Sequence, residues 1–215
     1  RWLSQKLERT EARSNAAFVE SRARIEPEAG AEWIEVGGAY AMFDGVGSPL
    51  TQTFGLGVFE ETTPEHLDQL GAFFKDRGAD VFHEVSPMAD ASLLSLLNKR
   101  GYRPIELTSV MYRPLVGELG EPRERDERLI THVISPDEVE VWARTAADGW
   151  GAEEPELAEF IFSMGRVSAQ CEGGYPYIAE FDGTPISTGM LLIYDDLCIL
   201  AGASTVPAGR KKGAQ

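Results

Sequence analysis

Three apolar runs near the C-terminal end constrain this chain more than any other feature. Residues 175–181, Thr184–Tyr194 and Leu197–Thr205 are separated only by Asp182 and Gly183 and by Asp195 and Asp196. Connections of two residues built from Asp and Gly are hairpin turns, and a link that short can join only antiparallel neighbours. A three-stranded meander follows. Such a sheet needs apolar cover on at least one face, and the preceding residues supply it. Residues 129–134 read as a further strand, Ser135 to Glu138 cap a helix carrying Val139, Val141, Trp142 and Ala146, and Glu154 with Pro155 opens a second helix carrying Leu157, Phe160, Ile161 and Met164.

Upstream of that unit, residues 116–128 are charged, contain Gly and Pro and offer almost nothing to bury, which marks a linker. Before it lies a first module. Residues 2–24 have the apolar spacing of an amphipathic helix. Strands are predicted at Glu32–Val36, Ala39–Phe43 and 51–59, punctuated by Gly37, Gly38, Asp44 and Gly45. Thr63 and Pro64 then start a helix over 64–77, followed by a strand at 81–85, a helix at 90–100 stopped by Gly101, and a strand at 105–112. The fold class predicted is α+β (mixed α/β), with one domain over 1–115, the linker, and a second over 129–215.

The 215 residues are 43% hydrophobic and 26% charged, enough apolar content to fill cores and exclude a disordered or fibrous chain. A net charge of −15 repels phosphate backbones and anionic membranes, so nucleic-acid and membrane roles are disfavoured. Cys171 and Cys198 have no metal-ligand spacing and read as reduced thiols of a cytoplasmic protein, and no metal site is expected.

Against that acidic background the last residues stand out. Between Arg166 and Arg210 there is no Lys or Arg and there are five acids; then Arg210, Lys211 and Lys212 come in succession, followed by Gly213, Ala214 and Gln215. An apolar strand runs through Val206 and Pro207 into a basic, small-residue segment whose backbone can approach a ligand closely. That combination reads as a cradle for phosphate, formed by N–H groups at a helix start and by local positive charge. Here the sequence resembles the GNAT superfamily of acyl-CoA-dependent N-acetyltransferases, whose Arg/Gln-x-x-Gly-x-Gly/Ala signature after the fourth strand is matched from Arg210 through Gly213, with Gln215 where the family more often has Gly or Ala. The order of elements from Leu129 also matches. The resemblance implies two GNAT-like domains, each a mostly antiparallel twisted sheet flanked by helices, the first degenerate because acids at Glu60 and Glu61 follow its third strand, the second incomplete at its C-terminus. It implies acetyl-CoA as co-substrate, with N–H groups from Lys211 to Gln215 on the pyrophosphate and Ser204, Thr205 and Val206 paired with the pantetheine arm.

The resemblance also implies an acceptor that is a primary amine of a small molecule or a protein. The catalytic acid and base are not assigned. Glu180, Asp195 and Asp196 read more readily as strand and turn positions than as a base, and Cys198 as a small core residue. Residues 148–156, with several acids around Trp150, could attract a cationic amine, although helix caps and a solvated loop explain them as well. His66, His83 and His132 have no metal spacing. A catalytically decayed CoA-binding regulatory or scaffold protein is the alternative to an enzyme, and association as a homodimer is compatible with either. The first module continues for 56 residues after its third strand, so the second domain is expected to run on for about fifty to sixty residues beyond Gln215.

Overall fold

The computed structural model describes residues 1–117, 126–152 and 154–214, which puts residues 118–125 of the predicted linker and Gln215 outside the described residues. α1 (Trp2–Ile25) precedes an antiparallel sheet of β1 (Glu32–Val36), β2 (Ala39–Phe43) and β3 (Gln52–Phe54) in that order. All five residues of β2 are buried, because it is the central strand and both its faces are covered. Ala39, Ala41 and Phe43 join Val36 and Leu56 under α2 (Pro64–Lys75) and α3 (Ala91–Lys99); Tyr40 and Met42 face Ala12, Ala16 and Val19 of α1. A strand alternating one face against each layer is the expected pattern for a central strand between helices. Thr63 caps α2 through its hydroxyl, which accepts from His66 N–H at 3.2 Å, and that assigns His66 a structural place.

The third strand is shorter than its apolar pattern predicts. Gly55 and Gly57 both have positive φ (75° and 73°) and bend the backbone out of the sheet. Residues 81–85 contribute only a parallel bridge from His83 to Thr53, and residues 105–112 form no strand. β-propensity gives a segment an extended backbone, whereas a strand also needs a neighbour to bond, and none reaches residues 105–112 among the described residues.

The second sheet runs β4 (Leu129–Val133), β5 (Gly174–Phe181), β6 (Thr184–Tyr194) and β7 (Leu197–Thr205), all antiparallel in sequence order. Asp182 and Asp195, the first turn residues, take positive φ (51° and 52°) as the predicted hairpins require. α4 (Val139–Trp150) and α5 (Pro155–Ser168) lie on one face, where Trp142 and Ala143 pack on Ile178 and Met190. Residues after β7 fold over one end of the opposite face, bringing Val206 and Ala214 against Leu129, Ala179 and Ile186. The rest of that face, with Val133, Tyr175, Tyr177, Ile193 and Leu200, is exposed.

α1 ties the two sheets together. The guanidinium of Arg22 bonds the fully buried Asp44 carboxylate at 3.0 Å and Glu26 at 2.6 Å, and also reaches Met164 Sδ of α5 at 3.3 Å. Ser21 Oγ donates to the Val167 carbonyl at 3.2 Å, and Lys6 pairs with Asp196 in the β6–β7 turn at 2.5 Å. No helix among the described residues is long and apolar enough to cross a membrane.

Candidate functional site

Where α4 meets the end of β7, a cleft of about 760 Å³ opens. Its making begins with a glycine. Gly149, in the last turn of α4, lies so close to β7 that a Cβ there would stand 2.0 Å from Ser204 Oγ and 3.0 Å from the Thr205 backbone. Only a residue without a side chain permits that approach. Ser204 completes the junction, its hydroxyl donating to the Ala146 carbonyl of α4 at 2.9 Å while its own carbonyl accepts from Ser187 at 2.6 Å. The end of β7 is therefore held from both sides. Gly202, with φ of 61°, sits where the β6–β7 register shifts between Thr188 and Met190. The added residue of this bulge leaves Ala201, Gly202 and Ala203 exposed beside the cleft.

Beyond β7, Pro207 to Gly209 make one tight turn that uses up the next donors. The Val206 N–H donates to Ile186 O at 2.9 Å, Gly209 to Val206 O at 2.8 Å and Arg210 to Pro207 O at 3.3 Å. Gly209 packs so tightly on Ile186 that a Cβ would lie 2.6 Å from its Cβ. From there the donors are free: among the described residues the N–H groups of Lys211, Lys212, Gly213 and Ala214 have no backbone partner. Lys211 and Gly213 both take positive φ (64° and 82°), an alternation of the kind that gathers successive N–H groups into a concavity suited to anions. The helix start expected here is not among the described residues; the donors come from a turn instead.

The structure brings Ser204, Thr205, Arg210, Lys211, Gly213 and Ala214 to the cleft wall. Val206 is directed into the Leu129, Ala179 and Ile186 cluster, and Lys212 lies over the Phe181 ring at 4.2 Å, away from the cleft. Gln215 falls outside the described residues. Two lining residues, Gly149 and Gly209, did not emerge from the motif, because their role depends on which elements cross; Trp150, singled out as a possible amine contact, does line the cleft and is 56% exposed. Asp148 and Glu154 are exposed nearby in the chain and outside the lining.

The remaining polar candidates sit elsewhere. Cys198 is exposed rather than in a core, and five residues of strand lie between it and Ser204, roughly 20 Å along β7. Cys171 is the enclosed thiol, pushed up to about 12 by burial. Asp195 is a turn residue, and Asp196 is held below its usual range by the Lys6 ammonium. His132 Nε2 bonds Glu138 at 3.0 Å; Glu138, accepting chiefly from the Ser135 N–H, is lowered to about 2 as the cap leading into α4. No set of three His, Cys, Asp or Glu side chains among the described residues could hold a metal ion.

No protein-family model matches the chain, and no curated protein matches it. Its fold is similar to that of a GCN5-related N-acetyltransferase from Kribbella flavida, at 19% identity and a TM-score of 0.53, over 92% of this chain and 75% of that one. A solved structure from Pyrococcus horikoshii described as a "Putative Acetyltransferase" aligns over 45% of this chain and 34% of its own, with 17% identity and a TM-score of 0.34. The first of these likenesses spans both sheets, and the chain has the mixed α/β, largely antiparallel fold of a GCN5-related N-acetyltransferase.

Proposed function

We propose that this chain binds acetyl-CoA in the α4–β7 cleft and transfers its acetyl group to a primary amine of a small molecule or a protein. The observation that carries the reading is the run of four consecutive unpaired N–H groups, Lys211 to Ala214, at the end of a strand and beside Arg210, Lys211 and Lys212. In a chain of net charge −15, this is the place where an anionic group such as a pyrophosphate meets both donors and positive charge. The outer edge of β7 has no strand beside it among the described residues, so an extended pantetheine arm can bond to it as a further strand would. Bound there, the thioester supplies an activated acyl group; the protein's part is to hold the anion, to align the arm along residues 203–205, and to present Trp150 at the mouth. The same reading takes the first half as a degenerate relative of the second, since Glu60 and Glu61 stand where the second half has its bases.

A second reading has its own support. Among the described residues lining the cleft there is no carboxylate, imidazole, phenol or thiol, which suits a CoA-binding regulatory protein whose catalytic power has decayed. Calorimetry separates the possibilities. Saturable acetyl-CoA binding that disappears on Gly213→Trp supports the site, because a bulky side chain at φ of 82° both strains the turn and fills the approach. No binding by the unaltered chain refutes it. Acetylation of any member of an amine panel then decides for the enzyme, and binding without turnover for the regulator.

A further inference from the structure

Three hydroxyls at the end of β7 have only one way to arrange their hydrogens, and that decides what the cleft can receive there. Ser187 is buried opposite Thr205 in the β6–β7 register, with its Oγ 2.6 Å from the Ser204 carbonyl oxygen and 2.9 Å from Thr205 Oγ1. A carbonyl only accepts, and two oxygens at such a distance need a hydrogen between them, so the single Ser187 hydrogen goes to Ser204 O. The contact with Thr205 needs a hydrogen too, and Thr205 is left to supply it. Ser204 in turn gives its hydroxyl hydrogen to the Ala146 carbonyl at 2.9 Å. All three hydrogens are therefore committed within the protein, and Thr205, a half-buried residue of the cleft wall, keeps only lone pairs for a ligand. Donating inward also makes that oxygen a better acceptor, because hydrogen bonds in a chain polarise one another.

The cleft thus has two unlike ends. From Lys211 to Ala214 it offers N–H groups and positive charge; at Thr205 it offers an acceptor with no hydrogen to give. We propose that Thr205 is a specificity-determining residue whose hydroxyl oxygen accepts from an amide N–H of the ligand's arm, and that Ser187 is the positioning residue that sets its polarity. The assignment rests on the acetyl-CoA reading of the cleft. With the pyrophosphate on the turn, the part of the ligand beside residues 203–205 is the pantetheine arm, which carries two secondary amides, each with one N–H to donate. A ligand group that can only accept, such as an ester oxygen, is disfavoured at the same place, since it sets lone pairs against lone pairs and leaves the Thr205 oxygen without a donor.

Calorimetry on the full 215-residue chain tests this with acetyl-CoA and two analogues, each having one pantetheine amide N–H replaced by an ester oxygen. The unaltered chain should bind one of the analogues about tenfold more weakly than acetyl-CoA, the loss expected when a hydrogen bond is exchanged for an unpaired acceptor. Thr205→Val keeps the shape of the side chain and removes the acceptor, so acetyl-CoA should weaken by about tenfold and the preference for the amide should vanish. Thr205→Ser should retain both. Ser187→Ala releases the Thr205 hydrogen to turn toward the ligand; the preference should fall to about twofold, a change of ratio that a loss of stability alone does not produce. Equal binding of all three ligands by the unaltered chain, or a preference that survives Thr205→Val, overturns the assignment of Thr205 and leaves the cleft reading standing. Absence of acetyl-CoA binding overturns both.

Discussion

The two halves of the molecule end their sheets in opposite ways. In the first, β3 stops after three residues at two left-handed glycines, and the chain passes through Glu60 and Glu61 into the cap of α2. The donors at that helix start are taken by Thr63, and the charge is negative. In the second, β7 runs nine residues, a tight turn uses the amides of Gly209 and Arg210, and the next four amides are left free among three bases. Both halves place a strand end beside a helix. Both leave amides without a backbone partner among the described residues, Phe59 to Thr62 in the first and Lys211 to Ala214 in the second, and capacity for an anion follows from the charge beside them, two acids against three bases, rather than from the shared architecture.

The largest expected effect tests whether the halves are independent at all. Asp44 has no exposed side-chain surface and bonds both Arg22 and Ser48, at 3.0 and 2.7 Å. Asp44→Ala takes the buried carboxylate from the Arg22 guanidinium of a helix that contacts both sheets and leaves it Glu26 alone, so the cost should lie toward the lower end of the about 3–5 kcal/mol lost when a buried pair is broken. Urea unfolding followed by tryptophan fluorescence should show the loss in a single transition, with Trp33 in the first half and Trp142 in the second reporting the same midpoint. Separate midpoints would mean that α1 does not couple the sheets.

Next is Gly149→Val, which acts on the second half alone. The new side chain overlaps Ser204 Oγ and forces α4 away from β7, an overpacking cost of about 1–3 kcal/mol. Displacing the strand end by about 1 Å should weaken acetyl-CoA binding roughly a hundredfold, read by calorimetry, while Gly71→Val, a helical glycine of the first half with no atom within 4 Å of its Cβ position, leaves binding unchanged.

Gly149 also shows where sequence reading runs out. The second sheet was legible almost to the residue, since hairpin turns punctuate it at Asp182 and Asp195, and so were α1 to α5, whose periodicity and caps are local properties. The basic segment was legible as charge against an acidic background. What local pattern could not contain is who approaches whom: that Gly149 meets Ser204, that Gly209 rests on Ile186, that Lys212 turns back onto Phe181, or that Cys198 faces water. Residues 81–85 and 105–112 fail for the same reason, because extended propensity is written in the chain and the identity of the neighbouring strand is not.

A smaller effect lies in the titration of the first half. Burial together with Glu84 and Glu8 raises Glu11 to about 7. Its folded pKa exceeds the ordinary value of 4.5 for such a carboxyl, so the folded state holds the proton more tightly; this stabilisation is complete below about pH 4.5 and is lost as pH rises through about 7. Glu11→Gln should therefore stabilise the protein by about 1–2 kcal/mol at pH 8, after discounting for the solvent the carboxyl keeps, and by almost nothing at pH 4. His83, lowered to about 4 by burial, works in the other direction, its contribution present above about pH 6.5 and lost as pH falls through 4. Thermal midpoints across pH 4–8 for the two chains check the sign; a benefit that grows toward acid pH would contradict it.

The smallest effect separates two adjacent lysines. Lys211 lines the cleft, and Lys212 sits 4.2 Å over the Phe181 ring on the outer side. If the free amides and the charges within the cleft hold the anion, Lys211→Ala should weaken acetyl-CoA several-fold and lessen the dependence on salt, as removal of one screened phosphate contact does. Lys212→Ala should lose a cation–π contact of about 0.5–1 kcal/mol in stability and leave affinity within about twofold, since its charge remains outside the cleft and is screened over about a Debye length. Calorimetric titrations at low and high salt make the comparison. Equal losses from both lysines would assign the anion to the whole basic run as a diffuse field rather than to the turn from Lys211 to Ala214.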